Sequence, residues 1–201
     1  MKKTTHAAEQ QRPDVAEQRA QWHEQLSAVP SARLLFVDES GANTQMARRG
    51  GRTAIGQRLV CHVPFGRYET QTLIAAVRLD GVRAPWMFEG AMNGEMFLAW
   101  VRQGLAPTLQ PGDWVIMDNL ATHKVAGVRE AIEAVGARLL YLPPYSPDFN
   151  PIENMWSKIK QLLRSLAPRT AEDLLRAAAL AFAAVSKADC QGFFLHAQYA
   201  I

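Results

Sequence analysis

A chain of 201 residues, 48% of them hydrophobic, is long enough to bury a substantial core as one domain, and its formal charge of +3 with a pI near 9.0 permits a nucleic-acid partner without demanding one. Cys61 and Cys190 stand far apart, with no Cys-x-x-Cys and no histidine pair at ligand spacing, so neither a disulfide framework nor a zinc site is expected. The N-terminal lysines have no apolar run behind them, and nowhere do about eighteen apolar residues follow one another, so the expectation is a soluble, cytoplasmic chain with no membrane segment.

In chain order, Met1 to Gln11 is polar and expected to be disordered, and Pro13 to Leu26 reads as a short helix with Val15, Ala16, Trp22 and Leu26 on its less polar side. Residues 1–30 are therefore read as an N-terminal arm and 31–201 as the main domain. "RLLFVDES" has the form of a buried strand whose end emerges at Asp38. Two strands are expected near Leu59 to Val63 and Gln71 to Leu79, antiparallel to the first. "NGEMFLAWVRQGLAPTL" reads as a helix stopped by Pro107. "DWVIMDN" repeats the pattern of a short strand that delivers an acid, here Asp118. "VAGVREAIEAVG" is a helix closed by Gly136, and "RLLYLP" a further strand.

The segment Pro151 to Leu166 has apolar residues at Ile152, Met155, Trp156, Ile159, Leu162, Leu163 and Leu166, the single stripe of a helix packed on a core. Its start, "NPIE", suits a capping box, with Asn150 as N-cap, Pro151 at the first position and Glu153 at the third. A helix from "TAEDLLRAAALAFAAV", opened by Thr170 to Asp173, and a shorter segment around Phe193 and Phe194 complete the chain. Grouped strands followed by alternating strands and helices predict an α/β fold, a mixed sheet with helices on both faces.

Asp38 and Asp118 each close an apolar strand, and ligands of open α/β sheets gather beyond such ends. A lone aspartate there is most often a turn residue. Glu153 follows Asp118 by 35 positions, on a helix where Ser157, Lys160 and Arg164 lie within about 40° of it and the apolar stripe points elsewhere. Three carboxylates gathered in one place repel one another unless a cation joins them. Oxygen ligands select magnesium or manganese, and two such ions about 4 Å apart can activate an attacking oxygen and stabilise a leaving one in phosphoryl displacement. Neighbouring Glu39 alternates to the other side of its strand, Asp113 precedes its strand, and Asp148 reads as a turn former in "SPDFNP", so none of these is expected in the set.

Taken in order, "LLFVDES", "DWVIMDNLATHK" and "LPPYSPDFNPIENMWSKIK" closely resemble the catalytic domain of DDE transposases of the mariner-related bacterial insertion-sequence group, with thirty-four residues between the second Asp and the Glu. The resemblance spans roughly Leu34 to Leu166. It implies an RNase H-like fold, two divalent ions (Mg2+ or Mn2+), cleavage at element ends by water and attack of the freed 3′-OH on target DNA. By motif position, Asp38 would bridge both ions, Asp118 would hold one and Glu153 the other, so that Glu153 would both cap and ligate. Relatives usually carry helix-turn-helix domains before the first Asp, where this chain has 37 residues. The expected partners are therefore DNA, a separately encoded helix-turn-helix protein and a second copy of the chain on DNA. The alternatives are an inactive DNA-binding remnant and a nuclease of the same fold that does not join strands.

Asn119, His123 and Lys124 belong to the resembling stretch and are candidates for orienting a phosphodiester; the plainer reading is a polar loop in which Thr122 caps the next helix. Arg48, Arg49, Arg52 and Arg58 form the densest basic run, a candidate DNA-phosphate track or a solvated loop, and Lys160 and Arg164 share the Glu153 side of their helix. Tyr145 and Trp156 read as packing residues.

Overall fold

Side-chain alternation gives the first strand two apolar faces, and the tertiary structure covers both. The structure, a computed structural model, describes residues 7–48 and 50–201. Five strands, β1 (Leu34–Asn43), β2 (Thr70–Arg78), β3 (Gly81–Glu89), β4 (Trp114–Met117) and β5 (Arg138–Tyr141), form one sheet in the order β3-β2-β1-β4-β5. β2 runs antiparallel to both β1 and β3, whereas β1, β4 and β5 are parallel. The sheet is mixed, as expected.

Leu34 and Phe36 of β1, with Ile116 of β4, face helices α1 (Pro13–Leu26), α4 (Pro151–Leu166), α5 (Ala171–Ala183) and α6 (Lys187–His196). Leu35, Val37, Val115 and Met117 face α2 (Gly94–Trp100) and α3 (Val128–Glu133). The arm helix α1 contributes Trp22 and Leu26 to the same core as Phe36, and the Trp22 indole donates to Tyr199 Oη at 2.8 Å. Its Ala16 is exposed.

Four expectations need correction. Leu59 to Val63 forms no strand: Leu59, Val60 and Val63 are exposed, and no strand among the described residues pairs with them. The third strand is Gly81–Glu89, joined to β2 by a tight turn at Leu79–Asp80; Pro85 is tolerated in it because β3 lies at the sheet edge, beside a register shift between Ile74 and Ala76. The helix from Asn93 does not run unbroken to Leu109. After α2 the backbone widens to a π turn over Val101–Leu105 and tightens to a 3-10 turn at Ala106–Thr108. Of the polar N-terminus, Ala8–Gln11 forms a 3-10 turn whose Gln10 Nε2 donates to the Tyr145 carbonyl at 2.6 Å; residues 1–6 lie outside the described residues.

Helix α4 has the expected bounds and buries Ile152, Met155, Trp156, Ile159 and Leu163. At about 2 kcal/mol for each large apolar side chain, that stripe contributes roughly 10 kcal/mol before entropy is counted. The helix ends at Ala167, which adopts the left-handed conformation (φ 49°) and returns its N–H to Leu163 O at 2.9 Å, with Pro168 following.

Candidate active site and basic groove

The pairing of β1 with β4 determines where the two aspartates lie. Phe36 is the last β1 residue paired with β4, opposite Ile116, and the same register carried two residues on sets Asp38 level with Asp118. Both share the parity of Phe36 and Ile116, so both project on the face that α4 covers. β4 stops at Met117, while β1 continues against β2 to Asn43, which leaves Asp38 beside an open sheet end. Asp38, Asp118, Asn119 and Glu153 line one cleft of about 380 Å³ together with the loop from Leu142 to Pro147 and Asn150.

The capping box expected at Asn150 and Glu153 does not form. No side chain caps α4; the Asn150 N–H instead bonds to Pro147 O at 3.0 Å, and the Glu153 N–H meets the Asn150 carbonyl at 3.2 Å. A 3-10 turn at Pro147–Phe149 has already satisfied the amide that Glu153 would have reached. Asn150 is buried, and its Oδ1 has no hydrogen-bond partner among the described residues. The Glu153 carboxylate is thus left to the cleft.

The electrostatics differ among the three acids. Burial pushes the Asp38 carboxyl up to about 7, and repulsion from Glu153 adds to it. Glu153 is also raised, by burial first, with Lys160 opposing and Asp118 reinforcing the shift. For Asp118 burial acts upward but is outweighed by His123 and by the Leu120 N–H, which donates to Oδ1 at 3.0 Å, so its carboxyl sits below the usual range. Among the described residues, no group of three or more His, Cys, Asp or Glu side chains stands together as a finished metal cage.

His123 is not on the surface of a polar loop. It is fully buried in the 3-10 turn Ala121–Lys124, with Nδ1 2.7 Å from Asp118 Oδ1, an ion-pair contact short of straight hydrogen-bond alignment. Its Nε2 lies 2.9 and 3.0 Å from the two oxygens of Glu39, which does leave β1 on the face opposite Asp38. Thr122 lies in the same 3-10 turn and caps no helix: α3 begins at Val128, and its Glu130 accepts from the Gly127 N–H at 2.9 Å. Asn119 Nδ2 donates to the Leu142 carbonyl at 2.9 Å and ties the β4 end to the loop after β5. Lys124 stands over the Tyr141 ring, 5.2 Å from its centroid.

Asp148 takes both nitrogens of Arg19 from α1, at 3.0 and 2.6 Å, and Arg19 also lies 4.3 Å over the Phe149 ring, so the arm helix braces the loop that leads into α4. Asp113 is fully buried at the other end of β4, held by Arg78 and Arg33. Trp156 packs as expected, while Tyr145 is exposed at the cleft with φ 54°.

Lys160 and Arg164 line a second groove of about 580 Å³ with Arg48, Asn43, Gln45 and Tyr68. Arg48 reaches Ser165 Oγ at 3.3 Å. Arg52 and Arg58 are exposed in irregular backbone, and Arg49 lies outside the described residues. The sequence does not place Glu39 or Arg19 near the site, and it gives Asn150 only as a helix cap; the signal for Glu39 is its position beside Asp38, but parity points it away.

Residues 33–175 match the family described as DDE superfamily endonuclease. No curated protein matches the chain by sequence. Among solved structures the chain is similar to the Mos1 strand transfer complex (TM-score 0.76, 16% identity, 98% of this chain and 63% of that one) and to the Mos1 mariner paired-end complex with Mn (0.74, 15%, 98% and 64%). It is also similar to the catalytic domain of Mos1 mariner transposase (0.66, 14%, 98% and 93%). The chain therefore spans less than two thirds of the transposase chains in those complexes. At these identities the likeness shows the fold, a mixed five-stranded sheet flanked by helices of the RNase H-like kind.

Proposed function

Since the chain belongs to the DDE superfamily of endonucleases, we propose that it is the catalytic domain of a transposase, which cuts DNA at element ends and joins the freed 3′ ends to target DNA. The observation that carries this reading is the convergence of Asp38, Asp118 and Glu153 on one cleft beside a groove lined by Arg48, Lys160 and Arg164. The three acids are the proposed catalytic set.

The donor set fits a hard divalent cation. Only carboxylate oxygens are offered, and Asp38 is destabilised as an anion by burial and by Glu153, a cost that a cation between them removes. Asp38, Asp118 and Glu153 would hold magnesium or manganese, two ions in this reading. When bound, such ions activate the attacking oxygen and stabilise the leaving one. The protein's own part is positional. Leu120 N–H and His123 both engage Oδ1 of Asp118, neither contact involves Oδ2, and Lys160 tempers the charge of Glu153. Arg48, Lys160 and Arg164 line a groove suited to tracking phosphates; Asn119, Lys124, Arg49 and Arg52 are further proposed DNA contacts.

DNA is the proposed partner, supported by a chain of the same fold, Mos1 transposase, solved as a paired-end complex with a left transposon end. A separately encoded helix-turn-helix protein and a second copy of the chain complete the proposed assembly. No helix among the described residues is long and apolar enough to cross a membrane. The test is incubation of the chain with Mn2+ and plasmid DNA bearing the flanking element ends, with and without the protein encoded upstream. Nicked and joined products are expected from the parent and from neither Asp38→Asn nor Asp118→Asn. Nicking without joining would assign a nuclease, and DNA binding without nicking an inactive remnant.

A further inference from the structure

We propose that His123, braced by Glu39, is a positioning residue that fixes the orientation of the Asp118 carboxylate. The proposal rests on the reading of Asp118 as a member of the cation-holding set.

Three contacts hold the His123 ring and a fourth holds its backbone. It packs on Phe97 with centroids 4.3 Å apart, Tyr141 Oη donates to its carbonyl at 3.2 Å, Nε2 meets both Glu39 oxygens, and Nδ1 meets Asp118. A fully buried histidine beside a mostly buried glutamate is costly unless each polar atom is used. The Glu39 pair alone would satisfy one ring nitrogen. The second nitrogen turns instead to the cleft acid, and it engages the same oxygen that the Leu120 N–H holds. The Leu120 hydrogen bond and the close His123 contact, both on Oδ1, restrict the rotation of the carboxyl group and present Oδ2 in one direction, the arrangement by which outer groups orient a ligating carboxylate.

Topology explains how this pair can exist. Asp38 and Glu39 leave β1 on opposite faces, and a strand neighbour would normally screen one from the other. Because β4 ends at Met117, the turn that carries His123 folds across the sheet's open end and links the Glu39 face to Asp118. One strand thereby supplies one cleft acid directly and orients a second through an imidazole. Charge supports the arrangement: burial would lower the His123 pKa, but contacts with Asp118 and Glu39 hold it up at about 9.

The experiment is calorimetric titration of the purified chain with Mn2+ alone, alongside thermal melts, for the parent, Glu39→Gln, His123→Asn and the packing control Ile132→Val. Glu39→Gln keeps the shape and an acceptor oxygen, so it tests the brace even if His123→Asn fails to fold. The expected result is an affinity loss of about tenfold in Glu39→Gln, larger in His123→Asn, with Ile132→Val lowering the melting temperature but not the affinity. If the parent binds Mn2+ and Glu39→Gln binds equally well, the positioning role is overturned while the site stands. A parent that binds no Mn2+ overturns the cation reading and the proposal together. Affinity losses that track melting temperature across all variants, Ile132→Val included, would reduce the pair to packing.

Discussion

Glu153 occupies the third position of its helix, where an acid normally caps, yet its backbone target is already bonded to Pro147. Its burial raises its carboxyl and benefits folding nothing. Glu153→Gln is therefore expected to melt at or slightly above the parent temperature while losing metal-dependent nicking; a drop of several degrees would restore the cap. Asp38 makes a pH prediction. Its carboxyl is raised from 3.8 to about 7 in the fold, so the folded state binds more protons between those values, and stability present at low pH is lost as pH rises through about 7. His123, raised from 6.5 to about 9, contributes stability that is complete below 6.5 and lost as pH rises through about 9. Asp118, lowered, works in the opposite sense, its share being lost as pH falls. Metal-free melts should thus decline from about pH 5 to 9, Asp38→Asn should flatten the lower part of that decline, and Mn2+ binding near pH 6 should release protons measurable by calorimetry in two buffers.

At the scale of elements, α4 carries both the core stripe and the cleft acid, so its placement decides the site. Ile159→Ala removes a fully buried side chain from its middle and should cost about 3 kcal/mol in urea unfolding. The arm helix α1 acts on the same place through Arg19. Its pair with Asp148 is partly exposed and worth at most about 1 kcal/mol, with a similar amount from the Phe149 ring. Arg19→Ala should therefore cost about 1–2 kcal/mol and lower the nicking rate more than a surface substitution such as Arg176→Ala, whose contacts stay within α5. Equal rates for the two variants would detach the arm from the loop it braces.

For the whole molecule, the basic groove adjoins the acid cleft along one side of α4, so a phosphate backbone held in that groove, as proposed, would lie close to the carboxylates. Replacing Arg48, Lys160 and Arg164 together by alanine should weaken nonspecific duplex binding and reduce the slope of log K against log salt by about 2–3, since each lost phosphate contact releases about 0.9 fewer counterions. An unchanged slope in fluorescence anisotropy would move the DNA path off this groove.

The positions of α1, β1, β2, β4, β5 and α4 were legible in the sequence because each is a period-2 or period-3.6 apolar pattern bounded by Pro, Gly or an acid, and such patterns report which side of a local element is buried. The three acids were legible for the same reason: two end apolar strands, and one opens an amphipathic helix on its polar side. The residues from Leu59 to Val63 were misread because β-branched side chains make a strand only where a neighbour pairs with them, and the partner of β2 turned out to be the next segment of chain, Gly81–Glu89, Pro85 included. The idle capping box, the brace from Arg19 to Asp148 and the reach of His123 between Glu39 and Asp118 were not legible at all. Each joins groups distant in sequence, or depends on a competing bond such as that from Asn150 to Pro147, and periodicity carries no information about either. Sequence pattern by itself determined which faces are buried and which acids stand at element ends; tertiary structure decided which groups meet across those ends, because that follows from where β4 stops and from the register that sets Asp38 beside Asp118.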